Sequence, residues 1–309
     1  MKKNIIALIL LSTTTVAHAW DGMEHMMVAD IAYDRLGANA RTKVDWASTM
    51  IRFKGQAYNA INLATWADTI KHSKGDPFSG DFANWHFIDL GLKSGDVDLI
   101  ANPPPLTITD GDIVTALRHC ESVIKGEHDP LIPSEAVAIA LMWHLMGDLH
   151  QPLHCTTDYY PQPHAGGQMT DRGGNSINVL NVSARYTDFH ALWDGVLECT
   201  YDKQGGKFVI PSEPDPFTVS PENATLRADV DEIVGANAIP STAMAGEYAD
   251  WAKETHALGI QAYTNLGQDF TQPSITVTRA YVANAQSVAR RQILLAGLRL
   301  ASVLNRLYP

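Results

Sequence analysis

Apolar residues recur along most of this chain at helical rather than alternating intervals. Met26, Val28, Ile31, Ala32 and Leu36 mark one stripe and predict a helix over about 25–36. The same spacing predicts helices over 41–51, 57–72, 110–125, 134–150, 188–198, 244–263 and 277–307. Thr109 or Asp110 is the expected cap of the fourth helix. In the last one Tyr281, Val288, Leu294, Leu298, Leu304 and Leu307 fall roughly on one side, over a length that can brace a whole bundle. Stretches rich in Gly, Pro, Asp or Tyr at 75–84, 156–181 and 201–222 read as loop, with one short strand over 177–182. No repeat, low-complexity tail or linker divides the pattern. It predicts an all-α fold, a single-domain and mostly helical bundle with long loops.

The first residues stand apart from that pattern. Lys2-Lys3, the apolar run Ile5 to Leu11, and Ala17-His18-Ala19 before Trp20 have the layout of a cleaved export signal. The run is too short to span a bilayer, and no later one is long enough. Residues 1–19 are therefore read as a signal peptide and 20–309 as the exported domain, periplasmic or secreted. The formal net charge is −11 at pH 7, and losing Lys2 and Lys3 makes it more negative. A chain this acidic does not hold nucleic acid or phospholipid through a broad basic surface. A phosphate-ester substrate would need bound metal to supply local positive charge.

The densest chemistry lies in Trp143-His144-Leu145-Met146-Gly147-Asp148-Leu149-His150-Gln151-Pro152-Leu153-His154. His144 and Asp148 stand four apart, so they project from one face of a helix. Pro152 ends that helix, and His154 on the exit turn can curl back to the same face. The spacing recurs in His190 and Asp194, again beside a tryptophan. Nitrogen and carboxylate donors in this arrangement point to zinc. Asp68 beside Trp66, His86 between Trp85 and Phe87, and the pair Trp20 and His25 add candidates that mean little one at a time. A chain beginning at Trp20 would offer a free amine and a carbonyl as chelating groups. Of the three cysteines, Cys155 follows His154 and Cys199 lies just past the His190 helix. An odd count suggests one disulfide with a spare thiol, or no bridge at all; a Cys155–Cys199 bridge would tie the two segments together, but the sequence does not fix the pairing.

Taken in order, the blocks Trp20…His25, Trp66-Ala67-Asp68, Trp85-His86-Phe87-Ile88-Asp89, His144 to His154, Gly173-Gly174-Asn175 and His190…Trp193-Asp194 resemble the S1/P1 nuclease family. Its members are secreted, mostly helical zinc enzymes related in fold to bacterial zinc-dependent phospholipases C. The resemblance implies three zinc ions. Asp68, His86 and His144 would hold one, and His154, His190 and Asp194 a second. Trp20, through its amino and carbonyl groups, and His25 would hold the third. Asp148 would bridge the first and third with help from Asp68, making these two the catalytic carboxylates.

Phe87 would stack on a base, Asp89 would hydrogen-bond it, and Asn175 would join them as a substrate contact. The implied activity is zinc-dependent hydrolysis of single-stranded DNA and RNA to 5′-phosphate products, with 3′-nucleotidase activity. The competing reading is a phospholipase C acting on phospholipid headgroups. No obligate protein partner is expected. Two features depart from the family pattern. Asp21 and Glu24 stand where glycines are usual, and the loop over 155–172 is long. His72, His119, His128, His150, His164 and His256 are read as structural.

Overall fold

The central helix forms where the pattern places it. Ser134 caps its start by accepting from the Val137 amide, and the tight turn before Pro152 ends it. In the computed structural model the described residues are 20–71, 82–93, 98–103, 105–107, 110–162, 168–185, 187–220, 222–267 and 274–309. The expected signal peptide, His72 and His164 lie outside them. The α-helices are α1 (Gly22–Tyr33), α2 (Ala38–Met50), α3 (Trp66–Lys71), α4 (Ile113–Ile124), α5 (Glu135–Asp148), α6 (Phe189–Asp194), α7 (Ala224–Ala236), α8 (Tyr248–Thr264) and α9 (Arg279–Leu307).

Helices α1, α2, α3, α4 and α9 all pack on α5, which is buried from Ala136 to Asp148. An all-round apolar helix belongs at the centre of such a bundle. Among the described residues the strands are two or three residues long and form three small sheets: 52–53 with 56–57, 178–179 with 274–275, and 182–183 beside 207–209 and 200–202. The all-α expectation holds.

Helix α9 crosses α1 closely. A Cβ on Gly297 would come within 2.5 Å of Ile31 Cγ2 and 3.0 Å of the Val28 carbonyl, so only glycine permits the approach.

Several local expectations need correction. The helix expected over 57–72 forms only as a 3-10 turn (Asn62–Thr65) running into α3, because Asn59 and Asn62 turn their side chains onto nearby amides. The cap of α4 is Asp112, not Asp110, and Thr109 lies outside the described residues; Gly111 takes φ +128° and turns the chain just before the cap. Helix α7 falls beyond the 201–222 loop and was not expected, since only Leu226, Val230 and Ile233 are buried along it.

The loop carrying His86 is zipped to the exit of α5. Ile88 donates to the His154 carbonyl at 2.8 Å, Thr157 to that of Leu90 at 2.9 Å, and Leu92 to that of Thr157 at 2.8 Å. Residues more than sixty apart in sequence thereby share one wall.

Candidate metal centre

His144 and Asp148 leave α5 one turn apart and meet at 3.1 Å (Nε2 to Oδ2). His86 Nδ1 lies 2.9 Å from that same Oδ2 and 3.1 Å from His144 Nε2. Asp68 Oδ1 stands 3.7 Å from both imidazole nitrogens. The other oxygen of Asp148 is 3.2 Å from His25 Nε2, whose ring stacks on His144 at 3.9 Å. Stacking leaves no room on α5 itself: a Cβ on Gly147 would sit 2.8 Å from His25 Nδ1. Trp20 is fully buried on the same wall, its indole donating to the Gly147 carbonyl at 2.9 Å.

A second group lies beyond the helix exit. His154 and His190 tilt together with ring centroids 4.8 Å apart, and His190 Nε2 is 3.7 Å from Asp194 Oδ1. Three donor trios result: His25–His144–Asp148, Asp68–His86–His144 and His154–His190–Asp194, each with ligand atoms within 4.8 Å of one another.

The hydrogen bonds behind these rings fit a metal. The Nδ1 atoms of His144, His154 and His190 are tied to the carbonyls of Ala64 (2.6 Å), His86 (2.6 Å) and Gly173 (2.7 Å). That places a proton on Nδ1 and leaves the Nε2 lone pair for an ion. Nε2 of His86, His154 and His190 is buried without a hydrogen-bond partner, and His25 Nε2 and Asp148 Oδ1 have only each other, at 3.2 Å. Orphaned polar atoms in such number are costly unless a cation satisfies them.

Protonation states agree. Burial lowers His25, His154 and His190, and drives His86 down to about 3 with the help of Lys71. For His144 burial acts the same way, but Asp148 and Asp68 outweigh it and raise the ring. Burial also opposes ionisation of Asp148, yet His144, His25 and His86 hold its carboxyl well below the usual range. Asp194 is pushed well up by burial and by Asp21. Burial and Glu213 push Asp21 up to about 8, and Glu24 rises through burial, Asp21 and Glu198. The surplus of acid is what a bound cation would relieve.

The remaining candidates lie beside these segments in the chain. Phe87 and Asp89 are half-buried, and Asp89 is raised to about 6 by burial and Asp171 against the pull of Arg172. Asn175 donates its amide to the Arg172 carbonyl at 2.7 Å. Lys71 was missed: on α3, three after Asp68 and 3.4 Å from its carboxylate, it read as an ordinary helix pair, yet it is 7% exposed. The histidines read as structural have partners where they are buried. His150 accepts from Arg299 at 3.0 Å, His256 shares Thr156 and the Cys155 carbonyl, and His119 pairs with Asp129. No disulfide forms. All three cysteines are free and buried; Cys155 turns inward to the Leu149 carbonyl, away from any bridge to Cys199.

The sequence profile named S1/P1 Nuclease matches residues 20–309, the whole described span. This chain belongs to the S1/P1 nuclease family. Nuclease S1 of Aspergillus oryzae is 28% identical over 60% of the chain and 56% of its own length. Endonuclease 4 of Arabidopsis thaliana is 26% identical over 55% of the chain and 50% of its own length, and Nuclease P1 of Penicillium citrinum 25% identical over 57% of each. The chain spans about half the length of these S1/P1 relatives. Its three donor trios all fall within the matched region.

Proposed function

We propose that this S1/P1 family member is an exported zinc-dependent phosphodiesterase. It would hydrolyse single-stranded DNA and RNA to 5′-phosphate products and remove the phosphate of 3′-nucleotides. The observation that carries the reading is the three trios of His and Asp donors brought together from five segments of chain, with Nε2 of His154 and His190 buried and without a hydrogen-bond partner. Asp68, His86 and His144 would hold one zinc, His154, His190 and Asp194 a second, and Trp20 with His25 a third. Asp148 has one oxygen toward His25 and the other toward His86 and His144, the disposition of a bridging carboxylate.

Bound zinc would supply Lewis acidity, acidifying water and offsetting charge on a phosphate. The protein's own part is orientation and charge. Carbonyl-bound Nδ1 atoms fix the rings, so ligand geometry costs no reorganisation on substrate binding. Lys71 holds an ammonium beside Asp68, where it would meet a phosphate oxygen. Phe87 offers a stacking face and Asp89 an acceptor for a base splayed from a single strand.

The second reading, a phospholipase C, calls for an apolar rim. Among the described residues the exposed large apolar side chains are Trp46, Met50, Met169 and Leu180, and of these Met169 alone belongs to the 155–172 loop. One purified preparation assayed on single-stranded DNA, 3′-AMP and phosphatidylcholine, with zinc counted in the same sample, tests both readings. Hydrolysis of the first two is expected. Hydrolysis of phosphatidylcholine alone would replace the nuclease reading.

A further inference from the structure

The carbonyl that orients His190 belongs to Gly173, in a run where Arg172, Gly173 and Gly174 all take positive φ (+58°, +60° and +88°). Left-handed φ is free of strain at the two glycines but costs energy at Arg172, so the turn needs something to hold it. Glycine is required at 173, where a Cβ would fall 2.6 Å from the Leu153 carbonyl. Space alone does not set where the carbonyl points.

What holds the run is a buried carboxylate outside all three trios. Asp171 is fully buried. Its Oδ1 accepts from the Asp158 amide at 2.9 Å and from the Thr157 hydroxyl at 3.0 Å, and its Oδ2 accepts from Tyr263 of α8. Thr157 Oγ1 in turn accepts from the Gly173 amide at 3.1 Å. A chain of hydrogen bonds therefore runs from Tyr263 through Asp171 and Thr157 to Gly173, whose carbonyl takes the Nδ1 proton of His190. Thr157 belongs to the zipper that also carries Asp89, and Arg172 acts on the carboxylates of both Asp89 and Asp188.

We propose that Asp171 is a positioning residue for the His154–His190–Asp194 trio, acting through Thr157 on the Gly173 carbonyl. It touches neither metal nor substrate. It fixes the ring angle of His190 and braces the loop edge that carries Arg172 toward Asp89. The inference rests on the metal reading above, because without an ion at that trio the ring angle has no consequence.

The test begins with zinc counted in the wild-type protein, which checks the metal reading by itself. Release of zinc to a colorimetric chelator is then followed for Thr157→Val, Thr157→Ser and Tyr263→Phe. Valine keeps the branched shape and removes both hydroxyl bonds, whereas serine keeps them. On the scale of partners that orient metal ligands, Thr157→Val should release one class of zinc about tenfold faster and lower kcat at unchanged KM. Tyr263→Phe should show the same effect more weakly, and Thr157→Ser should match wild type. Tyr248→Phe removes a comparable hydroxyl bond, to Glu121 on α4, and should leave release unchanged. Wild-type release from Thr157→Val, or equal impairment of the valine and serine variants, would overturn the positioning role while leaving the metal reading intact. A wild-type protein without zinc would overturn both.

Discussion

Two buried polar clusters flank the end of α5, built partly from adjacent letters of one string, and they are finished differently. In front, His86, His144, Asp148 and His154 come together, and Nε2 of His86 and of His154 has no hydrogen-bond partner. Behind, His150 donates to the Met146 carbonyl and accepts from Arg299, which reaches Glu254 and lies over the Trp251 ring at 4.9 Å. Gln292 closes the group by donating to the His150 carbonyl at 3.2 Å. Residue type does not separate the two clusters, nor does burial. Satisfaction does: the rear cluster is complete as protein, whereas the front one is complete only with an added cation.

Breaking the front cluster should have the largest effect. Asp148→Asn keeps the shape but removes the charge between the trios, and it should abolish hydrolysis of every substrate. A steady-state assay on single-stranded DNA and on 3′-AMP checks this; more than about a tenth of wild-type activity would remove Asp148 from the bridge. Phe87→Ala sharpens the contrast between metal and stacking face. It should weaken cleavage of nucleic acid by about 1–3 kcal/mol of stacking while sparing a small phosphodiester that has no base. Equal losses on both would make Phe87 a packing residue.

The rear cluster yields the smallest effect, and one that depends on pH. Burial and Arg299 lower His150 to about 3, so the folded protein keeps it neutral while the unfolded chain takes a proton below about 6.5. Stability from this group is therefore present above pH 6.5 and is lost as pH falls toward 3. The slope is up to about 1.4 kcal/mol per pH unit. Urea unfolding of wild type and His150→Gln at pH 7 and pH 5 measures it. A wild-type slope no steeper than that of the variant would show that His150 is already charged in the fold.

Much of the front cluster was legible because helical spacing is short-range arithmetic. His144 with Asp148, and His190 with Asp194, can be placed on one face from the sequence alone. The partners that finish each ring could not be. Ala64, His86 and Gly173 contribute backbone carbonyls, which no side-chain pattern announces. Lys71 was hidden for the opposite reason, since an i,i+3 pair with Asp68 is what a solvated helix face shows. Helix α7 escaped because its buried positions are few, and the disulfide expectation failed because adjacency in sequence does not set where a thiol turns.

The close crossing of α9 over α1 has a consequence in time. Ribosomes deliver the chain from the N-terminus, so α1, with His25, is made first and Gly297, the residue that lets it dock, nearly last. The donors from Trp20 to Asp194 are all synthesised long before that helix exists. Until then α1 lacks the helix it packs on most extensively, although α5 is already there for it to meet. The packing around α1 is therefore finished only when the last helix has been made, after every candidate donor.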